Sequence, residues 1–294
     1  MPVMETGTVS APLEHIPIDK VVKKITEISS LPHVAMKIMQ VAGDPEAGAG
    51  DLKALVEGDP SLCTRMLRSV NSAANGLSKQ VTNVQQAVSL LGFNQIRNLA
   101  MTASVSSLFK NDEPIGTYRR SILWRHMVSV GVCARLIASR IKLHNFEDAF
   151  LGGLLHDIGI ILEDQHVHPQ FHCMLESMPE GKTLTERERE FLGFDHTTLG
   201  ERVAELWHFP AVARAVIRFH HMSGNCRTAD APVVHCVELA NVICTLKGIS
   251  SVGTKLVRPP MDALKALNMG KADIKVLAED LERELELNDS LFEL

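Results

Sequence analysis

Residues 149–159 read AFLGGLLHDIG, and this stretch decides the fold. An apolar run of helical character ends in His156 and Asp157, which stand side by side. Burying such a pair costs free energy unless each group has a partner. A metal ion satisfies both, and imidazole combined with carboxylate suits Zn, Mn or Fe. We therefore expect a divalent metal site at the end of an apolar helix.

Further histidines stand next to apolar helical runs elsewhere in the chain. Each has an alternative interpretation: His126 as a hydrogen-bonded core residue, and His196 as a residue of a helix cap. One of His220 and His221 is explained equally well by the preference of helix C-termini for cations. These two neighbours diverge in direction on a helix, so they are not assumed to bind the same ion. The candidate metal ligands are His126, His156, Asp157, His196, His220 and His221.

The remaining histidines make weaker candidates. His166, His168 and His172 form a loose cluster that we expect at the surface. His235 lies on a helix and is better explained by core packing than by a role in the site.

Composition restricts the function classes. The chain has 294 residues and a net charge of −5, with only 4% aromatic residues. This argues against nucleic acid as a partner, because nucleic-acid binding relies on a positive field and on stacking platforms. The six cysteines form no Cys-x-x-Cys pair and are expected to be reduced thiols. No signal peptide and no apolar stretch of about 20 residues is apparent, so we expect a cytoplasmic protein without membrane contact.

Helical periodicity predicts an all-α fold with at least ten helices. Asp59 precedes a proline and is expected to cap a helix, as is Asp195. Thr185 and Glu188 have the spacing of a capping box. No stretch alternates convincingly with the period of a strand.

Two linkers, residues 43–50 and 111–116, divide the chain. We predict an N-terminal tail (1–17), an N-terminal helical half (18–112), a helical core that carries the histidines (113–250) and a C-terminal helical extension (251–294). The N-terminal half is expected to bury its apolar stripe against the core, because a few short helices rarely cover their own apolar face.

The chain resembles the HDOD family, the HD-related output domains of the HD superfamily of metal-dependent phosphohydrolases. Three stretches carry the resemblance: residues 59–72 (DPSLCTRMLRSVNS), 86–92 (QAVSLLG) and 153–159 (GLLHDIG). The likeness covers roughly residues 18–249. It implies an all-α domain in which N-terminal helices pack against an HD-type core. HDOD domains are regulatory outputs of bacterial signalling proteins, with no general catalytic activity established for them.

Departures from the catalytic members of the superfamily also guide the interpretation. The resemblance places Asn241 where catalytic HD enzymes supply a second metal-binding aspartate. Ile160 stands where the cyclic-dinucleotide phosphodiesterases have a lysine, and residues 222–227 (MSGNCR) replace their Gly-Tyr-Pro signature. Hydrolysis of cyclic-di-GMP is therefore disfavoured.

These observations leave three functional hypotheses. The first is a non-catalytic signalling module with a signalling protein as partner and a retained metal site. The alternative is a metal-dependent phosphohydrolase or phosphodiesterase acting on a nucleotide-like substrate, with Asp157 bridging two ions. The third is a helical scaffold without metal. Because the candidate ligands include a single carboxylate, we expect one ion (Fe, Mn or Zn) in preference to two.

Overall fold

The computed structural model describes residues 15–28, 31–44, 46–178, 181–253 and 258–293, and these residues form an all-α fold. Its only strand-like feature within these ranges is an isolated bridge between Ile115 and Tyr118. The α-helices are α1 (Ile18–Ile28), α2 (His33–Gly43), α3 (Ala49–Glu57), α4 (Pro60–Val70), α5 (Val84–Leu91), α6 (Phe93–Val105), α7 (Arg120–Arg140), α8 (Phe146–Leu155), α9 (Ile158–His166), α10 (His168–Glu176), α11 (Leu184–Phe191), α12 (His196–Leu206), α13 (Ala211–Phe219), α14 (Ala231–Leu246), α15 (Met261–Ala266) and α16 (Lys271–Leu287). Short 3₁₀ turns occur at Ala73–Asn75, Ser106–Phe109, Ser223–Asn225 and Asp289–Phe292. The predicted fold class and the minimum of ten helices are confirmed. Residues 1–14 of the predicted tail lie outside the described residues.

Polar caps fix where several helices begin. The Asp59 carboxylate accepts a hydrogen bond from the Leu62 amide at 3.0 Å, and Pro60 follows at the first helical position. Asp195 caps α12 in the same way, accepting from the Thr198 amide at 2.9 Å. Both caps agree with the prediction, because a carboxylate satisfies an amide that has no partner within the helix.

The capping box of α11 differs from the prediction. The box is formed by Thr183 and Glu186, two residues before the predicted pair of Thr185 and Glu188. The two pairs have identical spacing, so the pattern alone does not choose between them. With the box at Thr183 and Glu186, Glu188 lies inside the helix and its side chain is fully buried.

Helix α7 lies at the centre of the molecule and packs on α8 and α14. It crosses α8 at two glycines: a Cβ atom on Gly153 would lie 2.6 Å from the Gly131 Cα atom. The two main chains are therefore in direct contact. At 21 residues α7 is long and apolar enough to span a membrane, but 72% of its apolar window is buried inside the protein.

Helix α6 of the N-terminal half packs on α8 of the core. A buried polar network joins these helices: Arg97 pairs with Asp148 at 3.0 Å, and the Asn98 amide donates to the Glu147 carboxylate at 2.7 Å. Helix α1 also reaches the core and packs on α12 and α9. The predicted domain boundaries stay predictions, since the packing is continuous across them.

The C-terminal extension connects the two halves. Helix α16 packs on α7, and the turn Asp289–Phe292 packs on α4 and α6 of the N-terminal half. Arg68 on α4 forms an exposed ion pair with Glu293 at 2.6 Å. The extension therefore contacts both the N-terminal helices and the histidine-bearing core.

Candidate metal centre

Four segments of the core bring the candidate ligands together. Helix α7 contributes His126, the end of α8 contributes His156 and Asp157, and the start of α12 contributes His196. The end of α13 contributes the last two candidates, His220 and His221. The ligand atoms form two groups, each within 4.8 Å, and both groups include Asp157. All but His221 are almost fully buried.

The first group surrounds one oxygen of the shared carboxylate. Asp157 Oδ2 lies 3.2 Å from His156 Nε2 and 3.5 Å from His126 Nε2. These three side chains offer one carboxylate oxygen and two ring nitrogens to a common point.

The second group surrounds the other oxygen. Asp157 Oδ1 lies 3.3 Å from both His196 Nε2 and His220 Nε2. His221 Nε2 is 3.2 Å from His196 Nε2 and completes the group. Four donors are therefore available here, which is the number that a tetrahedral Zn²⁺ site uses.

Hydrogen bonds on the outer side of the rings orient the Nε2 atoms inward. His126 Nδ1 lies 2.8 Å from the Ile249 carbonyl oxygen, and His156 Nδ1 lies 2.7 Å from the Gly153 carbonyl oxygen. His220 Nδ1 contacts main-chain carbonyl oxygens of α13 at 3.1 and 3.2 Å. A carbonyl only accepts, so each neutral ring must donate from Nδ1 and present an unprotonated Nε2 to the cluster.

His196 has a different outer partner. Both carboxylate oxygens of Glu188, on α11, lie within 2.9 Å of His196 Nδ1. The His196 main-chain amide also donates to Glu188, at 3.1 Å. A carboxylate behind a metal-binding imidazole orients the ring and increases its basicity.

Atoms that lack hydrogen bonds support a metal site. His126 Nε2, His156 Nε2 and Asp157 Oδ1 are buried without a hydrogen-bond partner. Leaving buried polar atoms unpaired costs free energy, and a cation at the centre of the cluster removes that cost. Imidazole and carboxylate donors fit Zn, Mn or Fe, so the residues present suit a divalent transition metal.

Burial sets the protonation states of the rings. It lowers the pKa of His126 and of His220 to about 4, although the charge of Asp157 opposes the shift in each case. Burial alone would raise the pKa of Asp157, but His156 and the neighbouring rings outweigh it and hold that pKa well below its usual range. His126 and His220 are thus neutral near neutral pH and Asp157 is a carboxylate, which are the forms that bind metals.

The pKa of His196 moves in the opposite direction. Burial would lower it, but Glu188 and Asp157 on either side of the ring raise it well above the ordinary value. Without a metal, these two carboxylates therefore favour the protonated form of His196, and a bound ion would compete with that proton.

A cavity of about 120 Å³ opens beside the second group. Its wall includes Arg189, Arg218, Glu238 and Asn241 in addition to ligand candidates. Arg218 donates to Thr197 Oγ1 at 2.9 Å, on the first turn of α12. The cavity therefore offers cationic donors next to the cluster, an arrangement that can accept an anionic group.

The sequence-based interpretation missed three acidic residues and misplaced one histidine. Glu163 and Glu188 are fully buried near the cluster, and Glu238 faces the cavity. The sequence feature that could have pointed to Glu188 is its position eight residues before the candidate ligand His196. His166 is buried, not at the surface as predicted. His235 is half-buried and contacts Ser223 Oγ at 2.7 Å, and it belongs to neither ligand group.

Known proteins resemble this chain along most of its length. An uncharacterized protein of Treponema pallidum (strain Nichols) is 24% identical over 222 residues, which are 74% of this chain and 42% of that protein. The chain thus spans less than half of this relative's length.

Solved structures share the fold. An HDOD domain protein of unknown function from Geobacter sulfurreducens superposes with a TM-score of 0.74 at 23% identity, covering 94% of this chain and 99% of that one. A proposed signal transduction protein from Marinobacter aquaeolei VT8 gives a TM-score of 0.71 at 23% identity, over 93% and 63% of the two chains. A proposed phosphohydrolase from Shewanella amazonensis SB2B gives 0.68 at 21% identity, over 92% and 97%.

The family model of the HDOD domain matches residues 28–223, which is more than half of the chain. This match agrees with the all-α architecture. The protein therefore belongs to the HDOD family.

Proposed function

We propose that the protein is a regulatory HDOD module that transmits a state to a signalling protein partner and holds one divalent metal ion without catalysing hydrolysis. The observation that carries the proposal is the buried cluster around Asp157, whose unpaired Nε2 and Oδ1 atoms suit a cation. The four-donor group of Asp157, His196, His220 and His221 is the favoured position for a single ion, because it offers a complete tetrahedral set.

The charge of the ligand set supports a single ion and argues against turnover. Asp157 is the only carboxylate in either ligand group of the described residues. Asn241 is buried on α14 and accepts a weak hydrogen bond from Thr245 Oγ1 at 3.5 Å. Ile160 is fully buried, so no cation is available at its position to clamp a phosphoryl group. Two divalent ions would be poorly neutralised by one carboxylate.

Helix α8 supports a signalling role because it reaches from the interface to the cluster. Its first turn carries Glu147 and Asp148, which bind Asn98 and Arg97 of the N-terminal half. Its last residue precedes His156 and Asp157. A small shift of this helix would change both the interface and the ligand geometry, and helix shifts at interfaces are an established form of switching.

The six free cysteines favour a reducing compartment, and we place the module in the cytoplasm. The net charge of −5 opposes a nucleic-acid partner.

The second candidate function is metal-dependent phosphohydrolysis of a nucleotide-like substrate. It is favoured by Arg189 and Arg218 in the cavity wall beside the cluster. Both guanidinium groups already have carboxylate partners, Asp195 for Arg189 and Glu201 for Arg218, which reduces the charge available to a phosphate.

Metal analysis of the purified protein, combined with a panel of phosphatase and phosphodiesterase substrates, tests both candidates. We expect about one Fe, Mn or Zn per chain and no turnover above the Asp157→Ala background. Hydrolysis of a nucleotide or cyclic dinucleotide by the wild type that Asp157→Ala abolishes would establish the enzyme instead.

A further inference from the structure

Glu188 occupies an unusual place behind the cluster. Its side chain is fully buried, and its two oxygens lie 2.8 and 2.9 Å from His196 Nδ1. One of them also accepts the main-chain amide of His196. Three contacts therefore tie one carboxylate to one ligand residue, and both the ring and its main chain are held.

The other rings differ in this respect. His126, His156 and His220 use main-chain carbonyl oxygens as outer partners. A carbonyl orients a ring but brings no net charge, whereas a carboxylate brings a full negative charge. The Glu188 carboxylate is separated from the cluster only by the width of one imidazole.

We propose that Glu188 is a positioning residue that holds His196 Nε2 toward the metal and supplies the second negative charge that the ligand set lacks. This inference rests on the proposed metal site. With Asp157 inside the ligand set and Glu188 behind it, one divalent ion is balanced by two carboxylates. The arrangement also assigns the ion to the group around Asp157 Oδ1, because His196 belongs to that group.

Glu163 provides a matched control. It is fully buried, and neither of its carboxyl oxygens accepts a hydrogen bond. Burial raises its pKa well above the ordinary value, and the nearby Glu188 raises it further. Burial beside Glu188 therefore favours the neutral form of Glu163. Replacing Glu163 by Gln keeps a neutral donor of the same size, whereas the same change at Glu188 removes a charge.

The experiment compares wild type, Glu188→Gln and Glu163→Gln in Zn²⁺ titrations against a chelating indicator. We expect Glu188→Gln to weaken Zn²⁺ binding by about 10–100-fold, the usual cost of losing an outer carboxylate, and Glu163→Gln to change it by less than about threefold. Circular dichroism establishes that each variant is folded.

A spectroscopic readout separates positioning from general destabilisation. In the Zn²⁺-loaded protein labelled with ¹⁵N-histidine, His196 should show a protonated Nδ1 with a strongly downfield proton. That signal should move upfield in Glu188→Gln and stay in place in Glu163→Gln. Equal Zn²⁺ affinity and an unchanged His196 signal in Glu188→Gln would overturn the inference. Failure of the wild type to bind Zn²⁺, Mn²⁺ or Fe²⁺ would instead overturn the metal site itself.

Discussion

Gly159 packs against the main chain of His196 so closely that a Cβ atom at position 159 would overlap the His196 carbonyl oxygen. This contact joins the first turn of α9 to the first turn of α12. Because Asp157 immediately precedes α9, the contact also fixes the distance between that carboxylate and the His196 ring.

Replacing Gly159 by Ala should therefore separate α9 from α12 and displace Asp157 from its ligand partners. We expect a loss of stability of about 2–4 kcal/mol, in the range of overpacked core sites, and reduced metal content. Gly50→Ala is the matched control, because a Cβ atom there meets nothing within 4 Å on helix α3. Thermal denaturation and metal analysis measure both effects; a Gly159→Ala protein that retains metal and stability would contradict the close contact.

Asp157→Ala should release the metal while leaving the helical fold in place. The carboxylate is shared by both ligand groups, so no donor set keeps a negative charge without it. Asp164→Ala is an instructive comparison, because Asp164 is buried to the same degree but binds Tyr118 and Arg120 instead. We expect Asp164→Ala to cost about 3–5 kcal/mol of stability, as for a broken buried ion pair, and to keep its metal. Metal retention by Asp157→Ala would show that the ion is bound elsewhere.

Acidification should destabilise the metal-free protein below pH 6.5. His126 and His220 have pKa values of about 4 in the folded protein and about 6.5 when unfolded, so the unfolded chain binds more protons between these values. Glu163 has the opposite effect. Its pKa is raised on folding, so the folded protein binds one more proton at this residue than the unfolded chain does. His221, whose pKa burial also lowers, adds to the loss, so the net loss should be at least about 2–3 kcal/mol between pH 6.5 and 4.5.

Above pH 6.5 the pH dependence of stability changes sign, and stability falls as the pH rises. The raised pKa of His196 gives stability that is complete below its unfolded value and is lost as the pH rises through its folded value. Urea denaturation of chelator-treated protein between pH 4.5 and 8.5 should therefore show a maximum near pH 6.5. His126→Gln should flatten the acidic side, and increasing stability on acidification below pH 6.5 would contradict the assignment.

Arg97→Ala should weaken both metal binding and the interface between the N-terminal half and the histidine-bearing core. Arg97 and Asp148 are a mostly buried pair, so we expect a loss of about 3–5 kcal/mol on removing one partner. If α8 couples the interface to the cluster, Zn²⁺ affinity should also fall by about fivefold, which corresponds to about 1 kcal/mol of coupling. Arg68→Ala, at the exposed pair with Glu293, is the control and should change neither quantity appreciably. Unchanged Zn²⁺ affinity in a folded Arg97→Ala protein would rule out the coupling.

The fold and most of the cluster could be predicted because they depend on local patterns. Asp59 and Asp195 cap helices as expected, since capping is decided within one turn of the chain. The histidines of the cluster are recognisable in the sequence because they stand within or next to apolar helical runs.

The burial of Glu188 and of His166 could not be predicted from local sequence patterns. The surroundings of Glu188 include two possible capping boxes with the same spacing, and only tertiary packing selects the register that buries it. His166 follows an acidic segment and resembles a surface residue in sequence. It is buried because α1 packs on α9, and Lys24 of α1 donates to its carbonyl oxygen at 3.0 Å. Contacts between residues more than a hundred positions apart cannot be predicted from a short window of sequence.

The glycine crossing of α7 and α8 has a consequence for ion selection. His126 lies five residues before Gly131, and His156 lies three residues after Gly153, so the two rings project from main chains that touch. No intervening side chain can change its rotamer to let these helices separate. The crossing therefore limits the size of any cation that binds in the three-donor group of His126, His156 and Asp157: a cation larger than the first-row transition metals would have to separate two backbones to bind there.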